Sequence, residues 1–196
     1  WGIETLNAAV PAIAEAIESD LFALYANLTN SVGTSGTNIS AATILAARKA
    51  LNDNKCPLNP RHLVLSSKDE VALLGDADLA TYFATSRAEA VAQGAIGDLY
   101  GFRVWMSQLV PAVSGTPVST KNLAFHPEAF VLAMRGLPEP PASTGAQAAT
   151  IRDPESGLVI RVLYAYNPSY LGVQVTLDVL YGVKVLRNEK ACVVLS

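Results

Sequence analysis

The sequence predicts an α+β fold, and two patterns at opposite ends of the chain carry this prediction. Residues 3–28 place apolar side chains at spacings of three, four and seven, which indicates one long helix with an apolar stripe. Along 158–166 and again along 173–181, apolar and polar side chains alternate, which is the period of a half-buried β-strand. Turn-forming residues at 167–169 separate these two runs, so together they predict a long antiparallel hairpin with one core face and one wet face.

The first helix contains a proline, whose missing N–H is tolerated in the first turn of a helix but bends or breaks its interior. Asn7 as the N-cap would place Pro11 at the end of the first turn, where little is lost. The residues that follow the helix, 30–37, are small and polar and include two glycines. They predict a flexible hinge or a subdomain boundary.

The middle of the chain, 37–136, predicts a mixed α/β unit. Its expected elements are a helix at 40–52, a strand at 62–65, a helix introduced by a Ser67/Glu70 capping box, a helix at 80–92, strands within 96–105, and a strand with a short helix at 122–135. A proline-rich loop and a small-residue run then cover 137–150. Because the first helix and the final hairpin have no other partner, we expect them to pack together.

Composition narrows the class of protein. The 196 residues are 51% hydrophobic and 16% charged, which is ample for a packed core, and no window approaches the roughly 20 unbroken apolar residues of a membrane helix. A net charge of −3 with scattered Lys and Arg argues against a tight nucleic-acid binder. Cys56 and Cys192 lack CxxC spacing and are expected to be reduced thiols. The chain opens at Trp1 without an initiator methionine, so an upstream segment is expected.

Residue types that perform catalysis are present but are not arranged for it. Neither His62 nor His126 has a second metal ligand at i+3 or i+4, and a structural role is favoured for both. The segment 33–36 has Ser35 between its glycines, but it lacks the endings of a phosphate loop and of a nucleophile elbow. A linker is the better interpretation of this segment.

Three further sets of residues receive structural interpretations. The glycines at 94, 97 and 101 have the wrong spacing for a dinucleotide fingerprint and suit turns better. Acidic pairs such as Asp76 with Asp78, or Asp153 with Glu155, lack further oxygen donors and are interpreted as caps or solvated loops. Four tyrosines are expected to pack across a sheet and not to stack on bases: Tyr164, Tyr166, Tyr170 and Tyr181. The sequence therefore predicts no catalytic, cofactor-binding or metal-binding residues, no cofactor, and no enzyme.

Several short sequence segments, taken in their order along almost the whole chain, resemble the major capsid proteins of tailed bacteriophages with the Hong Kong 97-type fold. The segments are 60–66, 94–107, 124–130, 178–182 and 191–195, together with Arg161 at the head of a long predicted strand. The resemblance implies a spine helix in 1–36, an axial domain in 37–136, and the loop, hairpin and return strands of a peripheral domain in 137–196. Members of that family usually carry an N-terminal arm and an extended loop before the spine, and both are expected to be absent from this chain.

The resemblance implies a structural protein of the virion, assembled in the host bacterial cytoplasm, that forms pentamers, hexamers and then an icosahedral shell around packaged double-stranded DNA. Scaffolding, portal and decoration proteins would be its partners, with no membrane and no sequence-specific DNA contact. An acidic wall suits this role, because strong phosphate binding would hinder movement of the DNA. An encapsulin-like compartment shell is the alternative, and a small serine hydrolase using Ser35 with a histidine is a distant third.

Overall fold

The computed structural model describes residues 2–76, 96–115, 118–141, 144–152 and 157–196, with side chains from residue 9 onward. The chain divides into two compact units. The first unit consists of Trp1–Ala16 and Leu132–Val183, and the second consists of Ile17–Val131 and Lys184–Ser196. The predicted helix at 80–92, together with Gly94, lies outside the described residues.

Three α-helices lie in the described part of the chain: α1 (Gly2–Ala23), α2 (Ala41–Asp53) and α3 (Ser67–Leu74). The predicted first helix is confirmed, with a 3₁₀ turn (Leu24–Asn27) at its end. Asn7 is not its cap, since the helix is already formed from Gly2 and passes through both Asn7 and Pro11. The apolar stripe runs on past the proline, and Ile17 and Phe22 are buried on the far side of it.

Twelve strands lie in the same described ranges: β1 (Ser31–Gly33), β2 (His62–Leu65), β3 (Asp98–Leu99), β4 (Phe102–Met106), β5 (Ala112–Val113), β6 (Ser119–Phe125), β7 (Phe130–Arg135), β8 (Gln147–Arg152), β9 (Val159–Asn167), β10 (Gly172–Asp178), β11 (Leu180–Val185) and β12 (Ala191–Leu195). They form a seven-stranded sheet, a three-stranded sheet and the two-stranded pair β7–β11. The predicted hairpin is confirmed as β9 and β10, but its second arm ends at Asp178, and residues 180–181 belong to β11, which pairs with β7. The run at 142–150, interpreted as a loop, instead contains most of strand β8.

The large sheet has the strand order β1-β12-β6-β2-β4-β3, with β5 beside β6. Strands β1 and β12 are parallel, as are β2 and β4, and the remaining pairs are antiparallel. Helices α2 and α3 cover one face, where the fully buried side chains include Ile44, Leu51, Leu63, Leu65, Leu73 and Val194. A smaller cluster on the other face joins Phe22 at the end of α1 to Leu123 and Val193.

Serine residues cap two of the helices. Ser40 accepts a hydrogen bond from the Thr43 N–H at the start of α2, as the predicted boundary requires. At α3 the predicted Ser67/Glu70 capping box is wrong by one residue. Ser66 is the cap, since β2 ends at Leu65 and the chain turns into the helix at the next residue. Its hydroxyl oxygen accepts from the Asp69 N–H at 3.3 Å.

The connector at 30–37 is not a free hinge. Residues 31–33 form β1, an edge strand beside β12 within the second unit. Gly33 has a φ of +89°, and a Cβ on it would lie 2.2 Å from the carbonyl oxygen of Leu195. Glycine is required here both for the left-handed backbone and for the close approach to the neighbouring strand.

A buried carboxylate ties together the strands and the helix of the large sheet. Asp69 is fully buried, and its Oδ2 accepts hydrogen bonds from the hydroxyl of Ser66 at 2.7 Å, Thr120 at 2.5 Å, Ser196 at 2.8 Å and the amide of Asn122 at 2.7 Å. Its other oxygen, Oδ1, has no partner among the described residues. Burial raises the pKa of Asp69, but the four hydrogen bonds outweigh it and hold the pKa below its usual value.

Candidate functional site

The three-stranded sheet of the first unit has one face made almost wholly of apolar side chains. In the order β10-β9-β8, Tyr164 lies opposite Val175 and Gln147, and Tyr166 lies opposite Val173. Because paired residues in an antiparallel sheet share a face, ten side chains fall on this one. They are Gln147, Ala149, Ile151, Ile160, Val162, Tyr164, Tyr166, Val173, Val175 and Leu177, and none of them is charged.

Much of this face is exposed in the single chain. Ile160 and Val162 are buried, but Ile151, Tyr166 and Val173 are 58%, 63% and 72% exposed. We call the exposed residues Ile151, Tyr164, Tyr166, Val173 and Val175 the apolar patch. The prediction of a core face and a wet face therefore holds for the inner part of the hairpin only. Exposed apolar side chains that share one face of a sheet mark contact sites for other proteins.

The opposite face of the same sheet carries its charged side chains and most of its polar ones, beside the apolar Val159 and Leu163. Arg161 and Asp178, which pair across β9 and β10, form a two-pronged ion pair in which Nε donates to Oδ1 at 2.9 Å. The guanidinium also donates to the carbonyl oxygen of Pro138. Towards the hairpin end, Asn167 donates to Gln174 at 2.7 Å. All five residues of the apolar patch therefore lie on one face of the sheet, and the Arg161–Asp178 ion pair lies on the other.

The hairpin turn extends the apolar character beyond the strands. Tyr170 and Leu171 are 84% and 80% exposed, and Leu171 has a φ of +48°, a conformation that costs a leucine about 1–2 kcal/mol. The backbone is held there by the Asn167 side chain, which accepts from the Ser169 N–H at 3.0 Å. The turn therefore presents two large apolar side chains on a braced loop.

The residues considered for catalysis are not brought together. Ser35 hydrogen-bonds the hydroxyl of Ser119 and accepts from the Lys121 ammonium at 3.3 Å. The ring Nδ1 of His126 accepts from the Glu128 N–H. Among the described residues, no hydrogen bond joins Ser35 to either histidine, so the arrangement that a serine nucleophile needs is missing from them.

His62 instead contacts an aromatic side chain. Its Nδ1 accepts from the indole N–H of Trp105 at 3.2 Å, and its ring lies 5.8 Å from that of Phe125. Burial, with the charges of Arg103 and His126, lowers the pKa of His62 below its usual value. The imidazole is therefore neutral at pH 7, with its proton on Nε2.

Both thiols are free and buried, and burial raises the pKa of Cys192 to about 12 and raises that of Cys56 as well. Within the described ranges no group of three or more His, Cys, Asp or Glu side chains is placed to hold a metal ion. Asp78, Asp153 and Glu155 lie outside those ranges. None of the helices described is long and apolar enough to cross a membrane.

Comparison with known proteins identifies the family. A family model described as phage capsid protein matches residues 2–185, so the chain belongs to the phage capsid protein family. Proteins of this family are structural components of the virion capsid. No curated protein sequence matches the chain.

Two solved structures share its fold. A chain of Mycobacterium phage Che8 is 23% identical with a TM-score of 0.65, over 97% of this chain and 61% of that one. A chain from the capsid of the cyanophage P-SCSP1u is 13% identical with a TM-score of 0.60, over 98% of this chain and 64% of that one. The present chain thus spans less than two thirds of the length of each.

The sequence did not single out the residues of the apolar patch as exposed. Of the four tyrosines expected to pack across a sheet, Tyr164 and Tyr166 pair with Val175 and Val173, whereas the prediction is wrong for Tyr170, which lies exposed in the hairpin turn. What the alternation could not show is that Tyr164 and Tyr166 remain exposed. Ile151 was missed because its strand was interpreted as loop, although its alternation with Ala149 was a usable signal.

Proposed function

We propose that this chain is the shell-forming part of a major capsid protein of the Hong Kong 97 type, assembling through pentamers and hexamers into an icosahedral shell around double-stranded DNA. The observation that carries the proposal is the apolar patch in a member of the capsid family. A water-exposed face of this size and composition is stabilised when a second copy covers it, at about 25 cal/mol per Å² removed from water.

The proposed domain roles are a spine in 1–36, an axial domain in 37–136 and a peripheral domain in 137–196. The first compact unit contains both the start of α1 and the three-stranded sheet. This grouping supports a spine helix and a hairpin that form one domain. The net charge of −3 supports a shell that contains DNA without gripping it. The proposed partners are scaffolding, portal and decoration proteins, and the proposed place of assembly is the bacterial cytoplasm.

A matched pair of lysine substitutions tests the role of the apolar patch. Val173 lies on the patch, and Thr176 is an exposed residue of the opposite face of the same strand. We expect Val173→Lys to abolish large assemblies of the full-length protein, because it buries a charge in each contact. Thr176→Lys should assemble like the parent protein.

Electron microscopy and sedimentation velocity provide the measurement. Closed shells that protect DNA from nuclease support the proposal, whereas shells that hold an enzyme and no DNA indicate the compartment alternative. A full-length protein that stays monomeric at every concentration and salt tested contradicts self-assembly. Equal assembly of the two lysine variants would show that the apolar patch is not part of the contact between copies.

A further inference from the structure

A second feature of the surface lies in the other compact unit, at the β2-β4-β3 end of the large sheet. A cavity of about 300 Å³ opens there, with room for one side chain. Its lining includes Arg61, His62, Asp98, Gly101 and Arg103. Three of these are charged, so the cavity is suited to a polar or ionic group.

The cavity has a braced rim. Tyr100 and Gly101, with φ of +48° and +80°, form the turn between β3 and β4, and Arg48 donates to the Tyr100 carbonyl oxygen. On the other side Arg61, which is 3% exposed, donates to the carbonyl oxygens of Cys56 and Pro57, each at 2.7 Å. Both sides of the cavity are therefore held in place before anything binds.

Arg103 is the exposed cation of the cavity, and it is already oriented. Its guanidinium carbon lies 4.8 Å from the ring centroid of Trp105, within range of a cation–π contact. Trp105 is itself fixed by the hydrogen bond from its indole to His62. A guanidinium that is stacked in this way loses little entropy when it binds a carboxylate with two parallel hydrogen bonds.

The charged side chains that line the cavity form no ion pair with any described residue. Asp98 and Arg103 pair in register across β3 and β4, yet no ion pair is formed by either of them with a described residue. Trp105, which is 48% exposed, adds apolar surface beside Arg103. Trp and Arg are the residue types enriched at the energetic centres of protein–protein interfaces.

We propose that this cavity receives a carboxylate side chain from a second copy of the chain, with Arg103 as the ionic contact and Trp105 as the apolar anchor. This inference rests on the proposed function, because it takes the partner to be another subunit. The chain has 17 acidic against 14 basic side chains, so a second copy has carboxylates to offer. Exposed examples are Glu15, Glu139 and Glu189.

The same cavity is poorly suited to nucleic acid. Asp98 faces a bound group from the same lining and repels a chain of phosphates, whereas a protein can offer a carboxylate to Arg103 and a donor to Asp98. His62 adds no positive charge at pH 7, because its imidazole is neutral. A mixed-charge cavity with an exposed tryptophan against its Arg103 therefore favours a protein partner.

Association of the full-length protein tests the proposal through Arg103→Gln, with Lys49→Gln as the control. Lys49 is an exposed cation of α2, outside the lining of the cavity, so the two variants lose the same charge. We expect Arg103→Gln to raise the concentration needed for assembly at least tenfold, with Lys49→Gln unchanged. Sedimentation at a series of concentrations gives this value, and circular dichroism checks the fold.

A cross-linking measurement covers the case in which the glutamine variant does not fold. Arg103→Lys keeps the charge, and a carbodiimide joins a lysine to a carboxylate in direct contact. In assemblies mixed from ¹⁵N-labelled and unlabelled copies, we expect an amide link from position 103 to an Asp or Glu of the other isotope. Peptide mapping by mass spectrometry identifies it.

The outcomes separate the two proposals. Failure of the parent protein to assemble contradicts the proposed function itself. Normal assembly with no mixed-isotope link at position 103, or with Arg103→Gln equal to Lys49→Gln, overturns the cavity proposal alone. Loss of DNA retention in Arg103→Gln shells without weaker subunit association would also overturn it, in favour of a nucleic-acid contact.

Discussion

Replacing Asp69 by asparagine tests whether the buried carboxylate holds the large sheet to α3. Four donors converge on the Oδ2 atom of Asp69. Because charge-assisted hydrogen bonds are roughly twice as strong as neutral ones, each bond to the neutral amide oxygen of the variant is weaker than the bond to the carboxylate by about 1 kcal/mol or less. The new NH₂ group also takes the place of Oδ1, which has no described partner. Allowing for non-additivity, we expect a loss of about 2–4 kcal/mol in the free energy of unfolding at pH 7.

Urea denaturation of unassembled protein, followed by circular dichroism, measures this loss, with Asp53→Asn as the control. Asp53 is exposed, and among the described residues its ion pair is with Lys49 four residues earlier, so its variant should match the parent protein. Since folding lowers the pKa of Asp69, the stability from its charged form is present above the unfolded pKa and is lost as the pH falls through the folded pKa. The difference between Asp69→Asn and the parent should therefore shrink in acid below about pH 4. Equal midpoints for Asp69→Asn and Asp53→Asn at pH 7 would refute the reasoning.

Three further outcomes are expected from single positions. Gly33→Ala should destabilise the protein by more than about 2 kcal/mol in urea denaturation, because the added Cβ meets the Leu195 carbonyl oxygen. Gly145→Ala is the control and should lose less stability, because Gly145 has a φ of +66° but open space around its Cβ. Similar losses at both glycines would contradict the close approach of β1 to β12. Leu63→Ala removes a fully buried side chain and should cost about 2–5 kcal/mol; a cost below about 1 kcal/mol would contradict that burial. Cys192, with a thiol pKa near 12, should resist alkylation at pH 8 until the protein is unfolded, and rapid labelling of the native protein would contradict its burial.

Several elements could be predicted from local pattern alone. Strand β2 was predicted at its observed bounds, since the apolar run 62–65 is bounded by a proline and by a serine cap. Helix α2 and the β9–β10 hairpin followed from side-chain period, which depends only on neighbouring residues. The resemblance to phage capsid proteins, drawn from short segments in their order, agrees with the match to the phage capsid protein family over 2–185.

Other features needed contacts between distant residues. The cap of α3 was misplaced by one residue, because Ser66 and Ser67 are equivalent locally and only the end of β2 decides between them. Residues 31–33 of the connector form a strand because they pair with the edge of β12, about 160 residues later in the sequence. Nothing near Asp69 in sequence predicts a site where Thr120, Asn122 and Ser196 converge.

Side-chain period by itself determined that Tyr164, Tyr166 and their neighbours share one face of a sheet, since alternation is a property of the extended backbone. Only the tertiary structure decided that this face is bare at its outer end and buried at Val162. The cavity at Arg103 likewise required β2, β3 and β4 to come side by side. Burial depends on what the rest of the chain brings to a face, and that is set by long-range packing, which no local pattern encodes.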